Sequence, residues 1–316
     1  MTRTASLFEA LSREVRKVVV GQEDALRLVL VALVAEGHVL LEGVPGLAKT
    51  TLVRALSAAL GLPFKRIQFT PDLMPSDVIG TQVYDFQRGS FQLVEGPVFT
   101  SVLLADEINR APAKTQAALL EAMQERQVSI DGSPRPLPTP FLVLATQNPV
   151  EHEGTYPLPE AQLDRFLFKA TLLYPSAEEE VAILEQHRGD AAGLTAMLGT
   201  IERVGDAAAL AAAKAEVLAV RVEPRVARYL VDVVRATREH ALVSVGASPR
   251  ASVLLQVAAR AVATLEGRDY VIPDDVKTLA VPTLRHRIRL TAAAEVDGLD
   301  ADRVLQGILS EVPVPR

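Results

Sequence analysis

The sequence predicts an α/β fold, a parallel sheet flanked by helices and followed by an all-helical second domain, and three observations carry that expectation. Short apolar runs alternate with helically spaced apolar residues up to about residue 174, and beyond it only the helical spacing remains. Ala, Val and Leu dominate while aromatic residues make up only 4% with no Trp, a balance suited to helices around a Val/Leu-rich parallel sheet. At 316 residues the chain also exceeds the size at which one core keeps growing, so two domains, 1–174 and 175–316, are expected.

Taken in order, residues 5–18 and 22–36 are spaced as helices, the second opening on Gln22, Glu23 and Asp24, whose acids favour a helix N-terminus. Val39 to Leu41 is a short apolar run that ends in a Gly-rich turn, and a helical pattern follows from Thr50 to Leu60 with a stop at Gly61. Further buried parallel strands are expected at 64–69, 99–105, 141–146 and 166–172, with a helix from Ala113 to Glu125. Two stretches interrupt this alternation and predict protruding hairpins. One is 81–95, with Tyr84, Phe86 and Phe91 around Arg88, Gly89 and Ser90; the other is 127–140, with a turn at Asp131 and Gly132. After Tyr174 and Pro175 the strands stop, and helices are expected at 177–187, 206–219, 224–239, 249–265 and 273–285, the Ala-rich stretch included because Ala is the best helix former.

The 33 basic and 39 acidic residues leave a net charge of −6, without the basic excess that nucleic-acid binding requires, so no nucleic acid is expected. The absence of Cys excludes disulfides, thiolate catalysis and Cys-based zinc sites. The five His, at 38, 152, 187, 240 and 286, lack metal-ligand spacing. The longest apolar run, Leu28 to Ala35, falls well short of the roughly 18–20 residues of a membrane helix, so no transmembrane segment and a cytoplasmic location are expected.

Chemistry concentrates at the ends of the expected strands. Gly43, Val44, Pro45, Gly46, Leu47, Ala48, Lys49 and Thr50, with Thr51 behind them, lie between a strand and a helix, where a phosphate chain finds free backbone N–H groups and a positive helix end. In this loop Lys49 would neutralise β- and γ-phosphates and the Thr50 hydroxyl would ligate Mg²⁺. Ala48 stands where such loops usually carry Gly, which is tolerable if its backbone stays near helical values. Val102 to Ala105 leads into Asp106 and Glu107, at the sheet edge where ligands of α/β proteins sit. Asp106 would hold Mg²⁺ through water and Glu107 would polarise an attacking water; an isolated acid pair would sooner be a strand end or helix cap, but this one stands in register with the loop that ends in Lys49. Ala145, Thr146, Gln147, Asn148 and Pro149 put an amide at the same edge, where Asn148 could bond the γ-phosphate or the water, or merely open an Asn-Pro turn.

In this order the P-loop, the Leu103 to Glu107 run, the Asn148 segment, Leu163-Asp164-Arg165-Phe166 and Ser248-Pro249-Arg250 resemble the AAA+ ATPases, and within them the MoxR group. The resemblance runs from Val19, Val20, Gly21 and Gln22 to the helices after 250. It implies a P-loop NTPase core with a C-terminal helical lid, using ATP or ADP with Mg²⁺. It also implies Asn148 as first sensor, Arg165 as an arginine finger reaching a neighbouring subunit, Arg250 as second sensor in the lid, and Gly21 and Gln22 over the adenine. Read locally, Arg165 could instead pair with Asp164 or Glu160, and Arg250 could be a surface residue of a first helical turn. A finger acting in trans implies a hexameric ring. The two hairpins would project toward its pore, and Arg110 would either link nucleotide state to the subunit interface or be a solvated loop arginine. The function implied is ATP-driven remodelling or activation of a partner protein, with a client or a von Willebrand-type protein as partner. A nucleotide-gated scaffold with little turnover and a chelatase- or helicase-like motor subunit are the alternatives.

Overall fold

The computed structural model describes residues 2–148, 155–186 and 193–315, so Pro149, His152 and His187 lie outside the described residues. The elements are α1 (Arg3–Arg16), α2 (Glu23–Val34), β1 (Val39–Glu42), α3 (Lys49–Leu60), β2 (Phe64–Gln68), α4 (Pro75–Ile79), β3 (Gly80–Asp85), β4 (Ser90–Glu95) and β5 (Val102–Asp106). A 3₁₀ turn at Ile108–Arg110 precedes α5 (Ala113–Glu125), β6 (Gln127–Ile130), β7 (Ser133–Pro136), β8 (Leu142–Gln147), α6 (Glu160–Leu163) and β9 (Phe168–Thr171). Then come α7 (Ala177–Gln186), α8 (Gly193–Leu198), α9 (Ala207–Ala219), α10 (Pro224–Glu239), β10 (Val243–Val245), α11 (Pro249–Leu265), α12 (Pro273–Leu284), β11 (Arg289–Leu290), α13 (Ala292–Val296) and α14 (Ala301–Glu311).

Five strands form one sheet in the order β2-β5-β8-β1-β9, and every pairing in it is parallel. Its central strands are apolar on both faces, and the period of two divides them cleanly. Val39, Leu41, Val102, Leu104, Leu142 and Leu144 join one core with α1, α2, α3 and the C-terminal helices. Leu40, Leu103, Ala105, Val143 and Ala145 join the other, covered by Leu119, Leu120 and Met123 of α5. The same alternation that buries the strands therefore sets their polar ends, Glu42, Asp106 and Gln147, at one edge.

Both interruptions are antiparallel hairpins, β3 with β4 and β6 with β7. In the first, Tyr84 stacks edge-on against Phe86 and Phe91, each with ring centroids 5.2 Å apart. Both phenylalanines pack on Tyr84, and Phe86 remains 90% exposed. The helical segment also carries the two-stranded β10–β11 pair, too short to bury a face of its own.

That segment docks on the free edge of β9. Arg285, at the end of α12, donates to Lys169 O at 3.3 Å and to Thr171 Oγ1 at 2.6 Å, so a guanidinium covers backbone groups that a strand edge leaves exposed. Among the described residues no helix is long and apolar enough to cross a membrane.

Candidate functional site

β1 delivers the chain into the loop from Gly43 to Ala48, and α3 begins at Lys49. A Cβ on Gly43 would meet Leu172 O at 3.0 Å and Leu47 Cδ1 at 3.2 Å, so glycine lets the loop press against the end of β9 without its neighbours giving way. Gly46 turns through φ +90°, and a Cβ on it would meet nothing within 4 Å, because this part of the loop faces an open cleft. The expectation of near-helical backbone at Ala48 is corrected: the residue is left-handed, φ 55° and ψ 21°. The loop must reverse its handedness immediately before α3, and an alanine there carries roughly 1 kcal/mol of strain that glycine would not.

Ala48 offers no side-chain cap to the N-terminus of α3. Lys49 Nζ reaches back across the loop to donate to Gly43 O at 2.5 Å. Burial lowers the pKa of this ammonium, and Asp106, Glu107 and Glu42 oppose the shift. Half-buried cation and carboxylates thus act on one another across the same space.

Asp106 is the last residue of β5, and Glu107 follows it in the left-handed region, φ 55° and ψ 49°. A non-glycine residue held there is strained, and that turn brings two adjacent carboxylates to a single cleft. The neighbouring strand locks it. With Ala105 level with Ala145 in the β5–β8 register, Thr146 sits beside the acid pair. Its hydroxyl accepts from the Glu107 N–H at 2.8 Å and donates to Asp106 Oδ1 at 2.5 Å. On the other side, Gln68 of β2 is level with Asp106 and donates from Nε2 to Glu107 Oε2 at 2.6 Å. Arg66, two residues earlier and so on the same face of β2, donates to Asp106 Oδ2 from Nη2 at 2.6 Å and from Nε at 3.1 Å. Arg110 Nε lies 3.1 Å from Glu107 Oε2, so each acid of the pair has its own arginine. Behind them the fully buried Gln116 donates to Ile108 O, Ala111 O and Tyr156 O, fixing the loop that follows Glu107.

These residues line one cavity of about 430 Å³, formed by Pro45 to Thr51 on one wall and by Arg66, Gln68, Asp106, Glu107, Thr146 and Asn148 on the other. Expected from the sequence and brought together here are Pro45, Gly46, Leu47, Ala48, Lys49, Thr50, Thr51, Asp106, Glu107 and Asn148. Gly43 and Val44 stand just outside this lining, at the start of the loop. Arg66, Gln68 and Thr146 are not among the residues expected from the sequence; Thr146 is a polar residue near the end of an otherwise apolar strand, whereas Arg66 and Gln68 stand on alternate positions of the mostly polar β2.

Gly21 and Gln22 do not line the cavity. Gly21 packs against Glu179 and Pro175, and the buried Gln22 donates from Nε2 to Leu173 O at 3.1 Å. Arg165 and Arg250 are elsewhere too, and they are together: both line a second pocket with Glu36, Gly37, Met123 and Arg126. Neither carboxylate beside Arg165 is its partner. Asp164 pairs with Arg287 and Arg250, Glu160 pairs with Arg289, and Arg165 Nη1 donates to Leu120 O at 2.7 Å.

The donor set of the first cavity fits a phosphate chain with a hard divalent cation. An ammonium and an uncapped helix N-terminus suit anionic oxygens. A threonine hydroxyl and one carboxylate are the hard oxygen ligands with which Mg²⁺ is usually held when phosphate oxygens and water supply the rest. Among the described residues no group of three or more His, Asp and Glu gathers into a self-sufficient metal cage.

Comparison with known proteins agrees with this geometry. Residues 38–168 match the family described as "ATPase family associated with various cellular activities (AAA)", and residues 235–308 match the AAA lid domain. The chain is 48% identical to Chaperone MoxR1 of Mycobacterium tuberculosis over 96% of its own length and 81% of that protein. It is also 48% identical to Uncharacterized protein YeaC of Bacillus subtilis, covering 95% of this chain and 92% of that one. The fold superposes with a TM-score of 0.91 and 42% identity on a crystal structure from Cytophaga hutchinsonii, of a protein assigned as an ATPase, covering 99% and 96% of the two chains. Such identity over nearly the full length, with both family regions in place, means that the chain belongs to the MoxR family of AAA+ ATPases.

Proposed function

We propose that the chain hydrolyses Mg·ATP in the Lys49–Glu107 cavity and uses the cycle, in a ring of subunits, to remodel or activate a partner protein. The observation that carries this reading is the convergence of Lys49, Thr50, Asp106, Glu107 and Asn148 on one cavity.

In this reading the loop from Gly43 to Thr51 cradles the phosphates, and Lys49 supplies the charge that meets the β- and γ-oxygens. Thr50 and Asp106 are the residues that would hold Mg²⁺, whose contribution when bound is to neutralise charge on the phosphate oxygens. Glu107 orients and deprotonates the attacking water, with Gln68 and Arg110 holding its carboxylate in line. Asn148 positions that water or the γ-phosphate from the end of β8. Residues 1–174 act as the nucleotide-binding core and 175–316 as the lid.

Arg165 lies outside the cavity of its own chain, which supports its acting as a finger on a neighbour's nucleotide in a hexamer, and Arg250, which shares its pocket, keeps the second-sensor role in the lid as a proposal. Gly21 and Gln22 keep the adenine assignment as a proposal. The exposed Tyr84, Phe86 and Phe91 cluster offers apolar contact to a client protein, and the chaperone name of the mycobacterial relative points the same way. The acidic net charge favours a protein partner over nucleic acid.

The test is phosphate release from Mg·ATP by the purified chain. Lys49→Ala is expected to lose nucleotide binding, and Glu107→Gln to keep binding while turnover stops. Normal hydrolysis by both variants would refute the assignment.

A further inference from the structure

The Asp106 carboxylate is crowded. Oδ1 accepts from the Thr146 hydroxyl, and Oδ2 accepts from both Arg66 Nη2 at 2.6 Å and Arg66 Nε at 3.1 Å. A carboxylate has about four lone-pair positions, so most are in use, and Arg66 alone takes those on Oδ2. The guanidinium is held in this pose by Gln68 Oε1, 2.9 Å from Nη2. Arg66 is nonetheless not a structural plug: its side chain is 48% exposed against 16% for Asp106, so it can leave without opening a core.

A divalent cation, or the water it carries, needs the same lone pairs and bears the same sign of charge. Guanidinium and metal therefore exclude one another at Oδ2. A triphosphate changes the balance, because Arg66 lines the cavity together with Lys49, and phosphate oxygens are as good a partner for a planar guanidinium as a carboxylate is. We propose that Arg66 is a tethered competitor for the metal carboxylate, released from Asp106 by the incoming phosphates, so that the metal binds with the nucleotide and not ahead of it. The proposal rests on reading Asp106 as the metal-binding carboxylate. Arg110 makes the contrast, since its Nε pairs with Glu107, 3.1 Å from Oε2.

The test uses Mn²⁺ as probe, its free concentration followed by electron paramagnetic resonance, titrated into the full-length protein without nucleotide. Arg66→Ala is expected to bind Mn²⁺ about tenfold more tightly than the unsubstituted protein. Arg66→Lys keeps the charge and stays close to the original affinity, and Arg110→Ala changes it by less than about twofold. Thermal melts of the three variants verify that each is folded. Unchanged Mn²⁺ affinity in Arg66→Ala overturns the proposal. An equal gain in Arg110→Ala also overturns it, since the effect would then be the general field of the cavity rather than occupation of Oδ2. Mn·ATP binding that survives Asp106→Asn would mean instead that the metal assignment itself is wrong, and the proposal falls with it.

Discussion

The guanidinium of Arg287 and the carboxylate of Asp164 form an ion pair, Nε to Oδ1 at 2.7 Å, with the Arg287 side chain only 2% exposed and that of Asp164 24% exposed. Burial lowers the Arg287 pKa to about 10 while Asp164 opposes the shift, so the guanidinium keeps its charge at neutral pH. The same guanidinium donates to Asp164 O, Phe166 O, Leu167 O and Thr283 O. His286 Nε2 lies 3.1 Å from Phe166 O. The segment that carries Arg165 is therefore held on both sides by residues that follow α12.

Breaking that clamp is expected to be costly. Asp164→Ala leaves Arg287 buried without its counter-ion and should lower stability by about 3–5 kcal/mol, the range for an uncompensated buried charge. Urea unfolding of the variant checks this, and a loss below 1 kcal/mol would mean that the four carbonyls suffice to hold the arginine.

Acid should destabilise the fold through its buried histidines. His38 Nδ1 accepts the Val143 N–H at 3.0 Å and Nε2 faces Met123 O at 3.1 Å, an arrangement that has no place for a second ring proton. Burial lowers its pKa to about 4, and His286 is pushed well below the usual value by burial and by Arg287 beside it. Because the folded pKa is the depressed one, the contribution is whole above the unfolded value near 6.5 and is lost as pH falls from there toward 4. The slope is at most about 1.4 kcal/mol per pH unit for each histidine. Melting temperatures recorded across that window should fall less steeply for His38→Gln than for the unsubstituted protein.

Thr146 should matter for rate more than for fold. Thr146→Val deletes the hydroxyl that ties the Glu107 N–H to Asp106 Oδ1, and a supporting hydrogen bond of this kind is worth about 10–100-fold in activity. Steady-state phosphate release is expected to drop within that range, with Thr146→Ser restoring most of it.

Complementation tests the trans role of Arg165. Arg165→Ala subunits and Glu107→Gln subunits should each be nearly inactive, since an arginine finger is worth on the order of 10³–10⁵ in rate. Confirmed mixed assemblies should recover part of the activity, because a neighbour then supplies the missing finger to an intact Glu107. No recovery would place the role of Arg165 within its own chain.

The parts legible in advance were those written locally. The loop from Gly43 to Thr50, the strand that ends in Asp106, and the helix Ala113–Glu125 each carry their own period and punctuation within a dozen residues or so. The hairpins were legible from Asp131 with Gly132, and from Gly89 between alternating apolar residues. Helices as short as α4, α6 and α13 gave no period to read, since a single turn shows neither face nor repeat.

Residues remote in sequence followed a different logic. Arg66, Gln68 and Thr146 reach the acid pair only because β2 and β8 flank β5 in a definite register, and a slip of one residue would turn all three to the other face. Arg165 and Arg250 share a pocket because the C-terminal helices dock on β9 through Arg285 and on the segment before it through Arg287, long-range contacts that no local spacing encodes. Sequence alone determined the inventory of this protein, its phosphate-type loop, its acids and its alternation of strand and helix, because backbone propensity and side-chain period act over a few residues. Tertiary structure decided which charges face one another, because strand register and helix docking arise from burying both faces of one sheet at once.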